Sequence, residues 1–431
     1  MPSKEPRSFG TAAVHAGYEP EPTTLSRAAP IYRTSAFAFR DSAHAARLFS
    51  LGEEGNIYSR LGNPTNEVLE SRMSVLEGGA ASVAVASGTA AIFNTVATIA
   101  RAGDEIVSAS NLYGGTYTMF DAILPDLGIT TRFVDARHSA NFEKAIGPRT
   151  RLLYVETIGN PVLDLADLDA ISRIARKHHL PLVVDATFTT PYLLRAIERG
   201  ADIVVNSLTK WIGGHGTAIG GIVTDSGRFD WSDPKFSLFT EPDRNYHGMR
   251  WAIDLPPEQR KIAFALRFRM VPLRNLGACL SPDGAWIFLQ GLETLHLRMP
   301  RHCENALAVA RRLAAHPKAA WVRYPGLEGD PSRELADRLL PKGAGGMVVF
   351  GVKGGAAAGA RFIEALRLVS HVSNVGDAKS LAVHPASTTH SQLSPEQRLA
   401  GGVGEDLVRL SIGLEDAGDI IADIERALES A

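Results

Sequence analysis

From Asn66 to Ser207 short apolar runs alternate with segments of helical periodicity, and this alternation restricts the fold more than any other feature of the 431-residue chain. Val68, Leu69, Met73 and Leu76 mark an amphipathic helix that ends at Glu77. SVAVAS, EIVSAS, TTRFVDA, RLLYVET, PLVVDA and DIVVNS read as strands. Between them lie the helix-like TAAIFNTVATIA, TYTMFDAILPDL, NFEKAI, DLDAISRIARKHH and PYLLRAIERG. Strands joined by helical crossovers build a mostly parallel sheet covered by helices on both faces, an α/β fold. Such sheets place ligands at the carboxyl ends of their strands, where Ser87, Tyr113, Asn160, Asp185 and Lys210 fall.

Two of these strand ends carry charge. ADIVVNS runs into Leu208-Thr209-Lys210, with glycines at 213, 214 and 216, and PLVVDAT closes on Asp185. Alone, Lys210 would read as a strand running out into a solvated turn. A carboxylate ending a second apolar strand changes that reading, because buried opposite charges suit a group held between them. Pyridoxal phosphate requires such a pair: a lysine that carries it as a Schiff base, and a carboxylate that keeps its ring nitrogen protonated. Ser87-Gly88-Thr89, at a strand-to-helix junction, adds free N–H groups and a positive helix end suited to a phosphate. Without the other residues that tripeptide would be only a helix cap.

YSRLGNPT (58–65), ASGTAA (86–91), Tyr113-Gly114-Gly115, ETIGNP (156–161), VVDAT, SLTK and RLSIGLE (409–415) occur in one order along the chain. Together they resemble the Cys/Met metabolism group of fold-type I pyridoxal-phosphate enzymes, over nearly the whole sequence. The resemblance implies an aspartate aminotransferase-like fold: an arm over residues 1–60 contacting a neighbouring subunit, a large cofactor-binding domain over 61–270, and a smaller α/β domain over 271–431. It implies that Lys210 and Tyr113 are catalytic, with Lys210 carrying the cofactor and Tyr113 stacked on its ring. Asn160 would bond the cofactor's phenolic oxygen and Asp185 its ring nitrogen. Ser87, Gly88, Thr89, Ser207 and Thr209 would hold the phosphate, joined by Tyr58 and Arg60 of the adjacent subunit. Arg409 would grip the substrate α-carboxylate bidentately, and Asn374 would contact substrate. Without the resemblance, Tyr113 reads equally as a half-buried core tyrosine, and Arg409 as part of an exposed strand face.

The segment SNVGDAKSL (373–381) distinguishes branches of the group. Cystathionine synthases and lyases resemble Ser-Leu-Gly-Gly there, whereas NVGDAKSL is similar to the O-acetylhomoserine sulfhydrylase pattern; NLYGGTY and FTEPDRNYHG point the same way. The expected reaction replaces the acetoxy group of O-acetyl-L-homoserine with sulfide, giving L-homocysteine in methionine biosynthesis. The identity of the acyl group and of the sulfur donor stays open. Alternatives are a cystathionine γ-synthase, a methionine γ-lyase or, in another class, a non-catalytic binding or regulatory protein on the same fold. Asp377 is expected to disfavour cysteine as the nucleophile if it faces the site. The resemblance also implies a homo-oligomer whose subunits share active sites, most simply a tetramer.

Composition bears mainly on what is excluded. A net charge of −2 and a pI near 6.7 give no footprint for nucleic acid or an anionic membrane. Two cysteines, Cys279 and Cys303, form no disulfide framework and suit a reducing cytoplasm. The uncharged run Gly78–Ala100 has the length of a membrane span, but its hydroxyl and amide residues favour a strand-turn-helix. No His-Glu-x-x-His occurs, so no metal is expected, and His384 and His390 are read as ordering a loop. Neither a phosphate-binding Gly-Lys-Ser/Thr nor a G-x-G-x-x-G after a strand is found. Beyond residue 225 periodicity weakens up to 281. Asp283–His316 then reads as one or two long helices, and AWVRYP, GMVVFGV and LVRLSIG as strands alternating with helices near 357–366 and 417–428. Ser394-Pro395-Glu396-Gln397 has the form of a capping box.

Overall fold

The computed structural model describes residues 8–388 and 404–431. His390 and the capping box at 394–397 lie outside the described residues. Seven strands form the first sheet: β1 (Ala81–Val85), β2 (Glu105–Ala109), β3 (Thr130–Val134), β4 (Thr150–Glu156), β5 (Leu182–Asp185), β6 (Ile203–Ser207) and β7 (Gly221–Asp225). Their order is β1-β7-β6-β5-β4-β2-β3. β6, β5, β4, β2 and β3 are mutually parallel, and β7 is antiparallel to both its neighbours. The alternation legible in the sequence ends with β6 and does not include β7. The parallel strands are rich in Val, Ile and Leu because helices cover both faces, and Ile106, Val107, Leu152, Leu153, Val183, Val184 and Val204 are fully buried.

Local sequence chemistry sets the helix ends that matter to the site. Ser87 caps the helix Gly88–Ile99 by accepting the Ala90 N–H at 3.0 Å. The uncharged run at 78–100 thus divides into β1 and this helix, and among the described residues no helix is long and apolar enough to cross a membrane. Asn63 caps the helix Pro64–Glu77, which closes on Gly78 in the left-handed region. Its amphipathic pattern understates its burial. Glu70, Arg72 and Glu77 are also buried, because the helix is wedged between β1 and the helix Pro282–Glu293. Glu70 accepts the Ala84 N–H and pairs with Arg269, so its charge is partnered.

The second sheet comprises β8 (Ala319–Arg323), β9 (Met347–Val352), β10 (Ser370–His371), β11 (Leu381–Val383) and β12 (Leu407–Ser411), ordered β10-β11-β12-β9-β8. Only β10 and β11 pair in parallel. Helices Gly355–Ala365 and Ala417–Glu429 cover it. The long helical region is two helices, Pro282–Glu293 and Leu295–Ala314, parted at Thr294. The second of these serves both halves of the molecule. Leu295, Met299 and Cys303 join the core of the first sheet, whereas Ala306, Val309, Ala310 and Leu313 join that of the second. Residues 226–281 lack periodicity yet bury an aromatic cluster in which Trp231 stacks on Phe239 at 4.3 Å.

Candidate active site

A cavity of about 410 Å³ opens at the carboxyl ends of β1, β2, β4, β5 and β6, with its far wall supplied by the second sheet. Ser87, Gly88, Thr89, Tyr113, Asn160, Asp185, Ser207, Thr209, Lys210, Asn374 and Arg409 all line it. Tyr58 and Arg60 do not. They sit together in the N-terminal region, with the Arg60 guanidinium 5.2 Å from the Tyr58 ring centroid and Tyr58 as a residue 41% exposed.

Lys210 stands in a π-type turn, Leu208–Ile212, that directly follows β6, and its backbone leaves the helical region there (φ −89°, ψ −135°). Its Nζ donates to Asn374 Oδ1 at 2.6 Å. Burial lowers the ammonium pKa to about 8, and the Arg409 charge adds to the effect. Asn374 is held by its loop. Gly376 has φ +77°, and a Cβ there would lie 2.6 Å from the Trp211 nitrogen, so only glycine lets the loop lie against the lysine turn. Its own N–H donates to Ser411 Oγ at the end of β12. Asp377 does not line the cavity. Its Oδ1 accepts the Lys379 N–H, so the condition on which it is expected to repel a second carboxylate, that it face the site, is not met.

Asp185 ends β5 and accepts the Thr187 N–H at 2.9 Å; the Tyr154 hydroxyl is 3.5 Å away. Burial raises its pKa, opposed by those hydrogen bonds. Beside it in register on β4 is Glu156, which accepts the Tyr113 N–H at 2.7 Å. Burial, reinforced by Asp185, pushes Glu156 well above the ordinary carboxylate range. Glu156 lies within ETIGNP, and that motif alone points to no role for it; adjacency of the two strand ends is the signal that could have found it. Arg409, 4% exposed on β12, donates to Asn160 Oδ1 at 3.0 Å. Burial lowers its pKa to about 10. Among the described residues neither Asp185 nor Arg409 has an ion-pair partner. A buried charge without a partner is costly, so each is set to meet the opposite charge of a guest.

At the cavity's other end the chain is drawn unusually close. A Cβ on Gly88 would lie 2.7 Å from the Ser207 Cβ, which brings the helix N-terminus against the end of β6. The Ser207 N–H donates to Thr187 Oγ1, and Thr209 Oγ1 exchanges hydrogen bonds with the backbone of Gly220. N–H groups at a helix start, flanked by hydroxyls, suit an anion. The donor set therefore fits pyridoxal phosphate: an anion cradle, an amine of lowered pKa, and a buried carboxyl lacking a cation. Tyr113, half exposed, stands at the mouth. Among the described residues no group of three or more His, Cys, Asp or Glu side chains could hold a metal ion. His384 bonds the Glu405 carbonyl.

Comparison with known proteins agrees with this chemistry. The family described as Cys/Met metabolism PLP-dependent enzyme matches residues 10–429. The chain is 50% identical over 432 residues to the O-acetyl-L-homoserine sulfhydrylase of Leptospira meyeri, covering 99% of this chain and 98% of that one. It is 48% identical over 430 residues to the homocysteine synthase of Schizosaccharomyces pombe, covering 99% of each. A crystal structure from Campylobacter jejuni that carries N'-pyridoxyl-lysine-5'-monophosphate superposes with a TM-score of 0.94 at 39% identity, covering 98% of this chain and all of that one.

Proposed function

The chain belongs to the Cys/Met metabolism family of pyridoxal-phosphate-dependent enzymes, and from that premise we propose that it converts O-acetyl-L-homoserine and sulfide to L-homocysteine and acetate. Relatives named O-acetyl-L-homoserine sulfhydrylase and homocysteine synthase, matched over their full length, support the reading. The observation that carries it here is that one cavity holds both Lys210, with its pKa lowered to about 8, and Arg409, which has no ion-pair partner among the described residues. Pyridoxal phosphate, when bound, supplies an electron sink for negative charge developing at the substrate's Cα.

In this reading the residues divide the work. Ser87, Gly88, Thr89, Ser207 and Thr209 would hold the phosphate, Asp185 would pair with the ring nitrogen, and Tyr113 would cover the ring. Arg409 takes the substrate α-carboxylate, oriented by the Asn160 amide on its Nη1. Lys210 removes the proton at Cα and transfers protons at Cβ, which its pKa near neutrality permits. The Cγ–O bond then breaks, releasing acetate, and a Cγ–S bond to sulfide replaces it. Asn374, already bonded to Lys210 Nζ, holds the amine in place and contacts substrate.

Sulfide rather than cysteine is the nucleophile in this proposal. Lys210 and Arg409 are the only Lys or Arg among the lining residues described, and both are engaged by the first substrate. The carboxylate of cysteine would be desolvated without a partner. We expect kcat/KM with sulfide to exceed that with cysteine at least tenfold, about 1.4 kcal/mol of discrimination. Competition on O-acetyl-L-homoserine, quantifying homocysteine against cystathionine, measures it; cystathionine as the main product would overturn the choice of nucleophile. The same reading divides the chain into an arm over 1–60, a cofactor-binding domain over 61–270 and a C-terminal domain over 271–431. It makes the working enzyme a cytoplasmic homo-oligomer, most simply a tetramer, with Tyr58 and Arg60 completing a neighbour's phosphate site.

A further inference from the structure

Helix Leu295–Ala314, which joins the two hydrophobic cores, carries three buried polar residues on one face at spacings of four and three: Arg298, His302 and Asn305. Arg298 donates to the Trp211 carbonyl at 2.7 Å and the Ile212 carbonyl at 3.1 Å, the two residues after Lys210. It also bonds the Gly291 carbonyl and Thr294 Oγ1, and pairs with no carboxylate among the described residues. His302 Nδ1 donates to the Ile412 carbonyl at 2.7 Å, and Asn305 Nδ2 to the carbonyls of Gly413 at 3.0 Å and Glu415 at 2.8 Å. Ile412 and Gly413 directly follow β12, which carries Arg409.

One helix face thus fastens the backbone behind Lys210 and the backbone behind Arg409. Burying an arginine against carbonyls and one hydroxyl, with burial lowering its pKa to about 10, costs free energy that a packed apolar side chain would spare. The bonded carbonyls all belong to the two segments bearing the reacting amine and the carboxylate-binding guanidinium, or to the neighbouring helix end. We propose that Arg298, His302 and Asn305 are positioning residues that fix Lys210 relative to Arg409. The inference rests on the reading of Arg409 as the carboxylate site.

Holoenzyme variants His302→Leu and His302→Asn test it, because asparagine can present an N–H where the ring Nδ1–H stands and leucine cannot. The probes are L-homoserine and 3-aminopropan-1-ol, which differ only in the carboxylate, titrated by the change in cofactor absorbance. The wild type should bind L-homoserine more tightly. His302→Leu should lose that preference at least tenfold while its affinity for 3-aminopropan-1-ol stays within threefold, and His302→Asn should retain most of the preference. Should His302→Leu fail to fold, Asn305→Ala carries the same expectation through the Gly413 and Glu415 carbonyls. A variant that melts lower yet keeps the wild-type preference would show the contacts to be structural only and overturn the proposal. A wild type with no preference would overturn the Arg409 assignment, and this inference with it.

Discussion

At the scale of single residues, the cavity's charges are held in conditions that water would relieve. Burial, helped by the Arg409 charge, lowers the Lys210 pKa from 10.5 to about 8, and a tenfold change in proton affinity is worth about 1.4 kcal/mol. In the cofactor-free protein the penalty is full below pH 8, where the ammonium is charged both folded and unfolded. It fades as pH rises from 8 towards 10.5, where the amine is neutral in the folded state first. Lys210→Met should therefore stabilise the cofactor-free protein by up to roughly 3 kcal/mol at pH 7, with the gain vanishing near pH 10.5. Denaturant titration of both proteins at the two pH values measures this, and an equal difference at both would contradict it. Lys210 and Asp185 were legible in the sequence because a charge ending an apolar strand violates the ordinary pattern. Glu156 was not, since its meaning comes from its neighbour in register, and Asp377 misled because spacing does not say which way a loop side chain turns.

At the scale of elements, the parallel strands and most of their helices followed from periodicity, whereas PYLLRAIERG is no single helix but a helical turn at Thr190–Leu193 and a 3-10 turn at Ala196–Arg199, and β7, β10 and β11 were not foreseen. β7 comes directly after a glycine-rich turn, and β10 and β11 hold two and three residues, too few for any period to register. Helix Pro64–Glu77 was found but its charged face is buried, because Arg269 and backbone groups satisfy Glu70 there. The loop 373–378 is the element on which the lysine turn leans. Gly376→Ala would place a Cβ at φ +77° and 2.6 Å from a backbone nitrogen that cannot swing away. Strain of that kind costs about 1–3 kcal/mol at one residue. The variant should melt at lower temperature and, with Asn374 displaced from Lys210 Nζ, lose at least tenfold in kcat; unchanged turnover would mean the Asn374 contact is incidental.

At the scale of the whole molecule, the end of the cavity at Ser87–Thr89 offers N–H groups and hydroxyls but, among the lining residues described, no cation besides Lys210 and Arg409. Tyr58 and Arg60 stand away from it, paired with each other and accessible. If they complete a neighbour's site, Arg60→Ala and Lys210→Ala proteins, each inactive, should regain part of the activity when mixed and allowed to exchange subunits. Activity that stays at zero despite mass-spectrometric proof of exchange would place Arg60 outside the site. Nothing in the residue pattern alone could specify such an arrangement, because it depends on surfaces rather than periods.

The strand order has a consequence for how the protein is made. β1 touches the sheet only through β7, with Val85 opposite Gly221. On the ribosome β1 and the helix after it emerge early, yet no partner strand exists for them until residue 221 has been synthesised. The intervening strands β2 to β6 can pair among themselves in the meantime. At about 5–20 residues per second this leaves an apolar strand waiting for several seconds or more. Ser87 and Gly88 are thus among the first site residues translated, yet they cannot be put in place before residue 221 has been made.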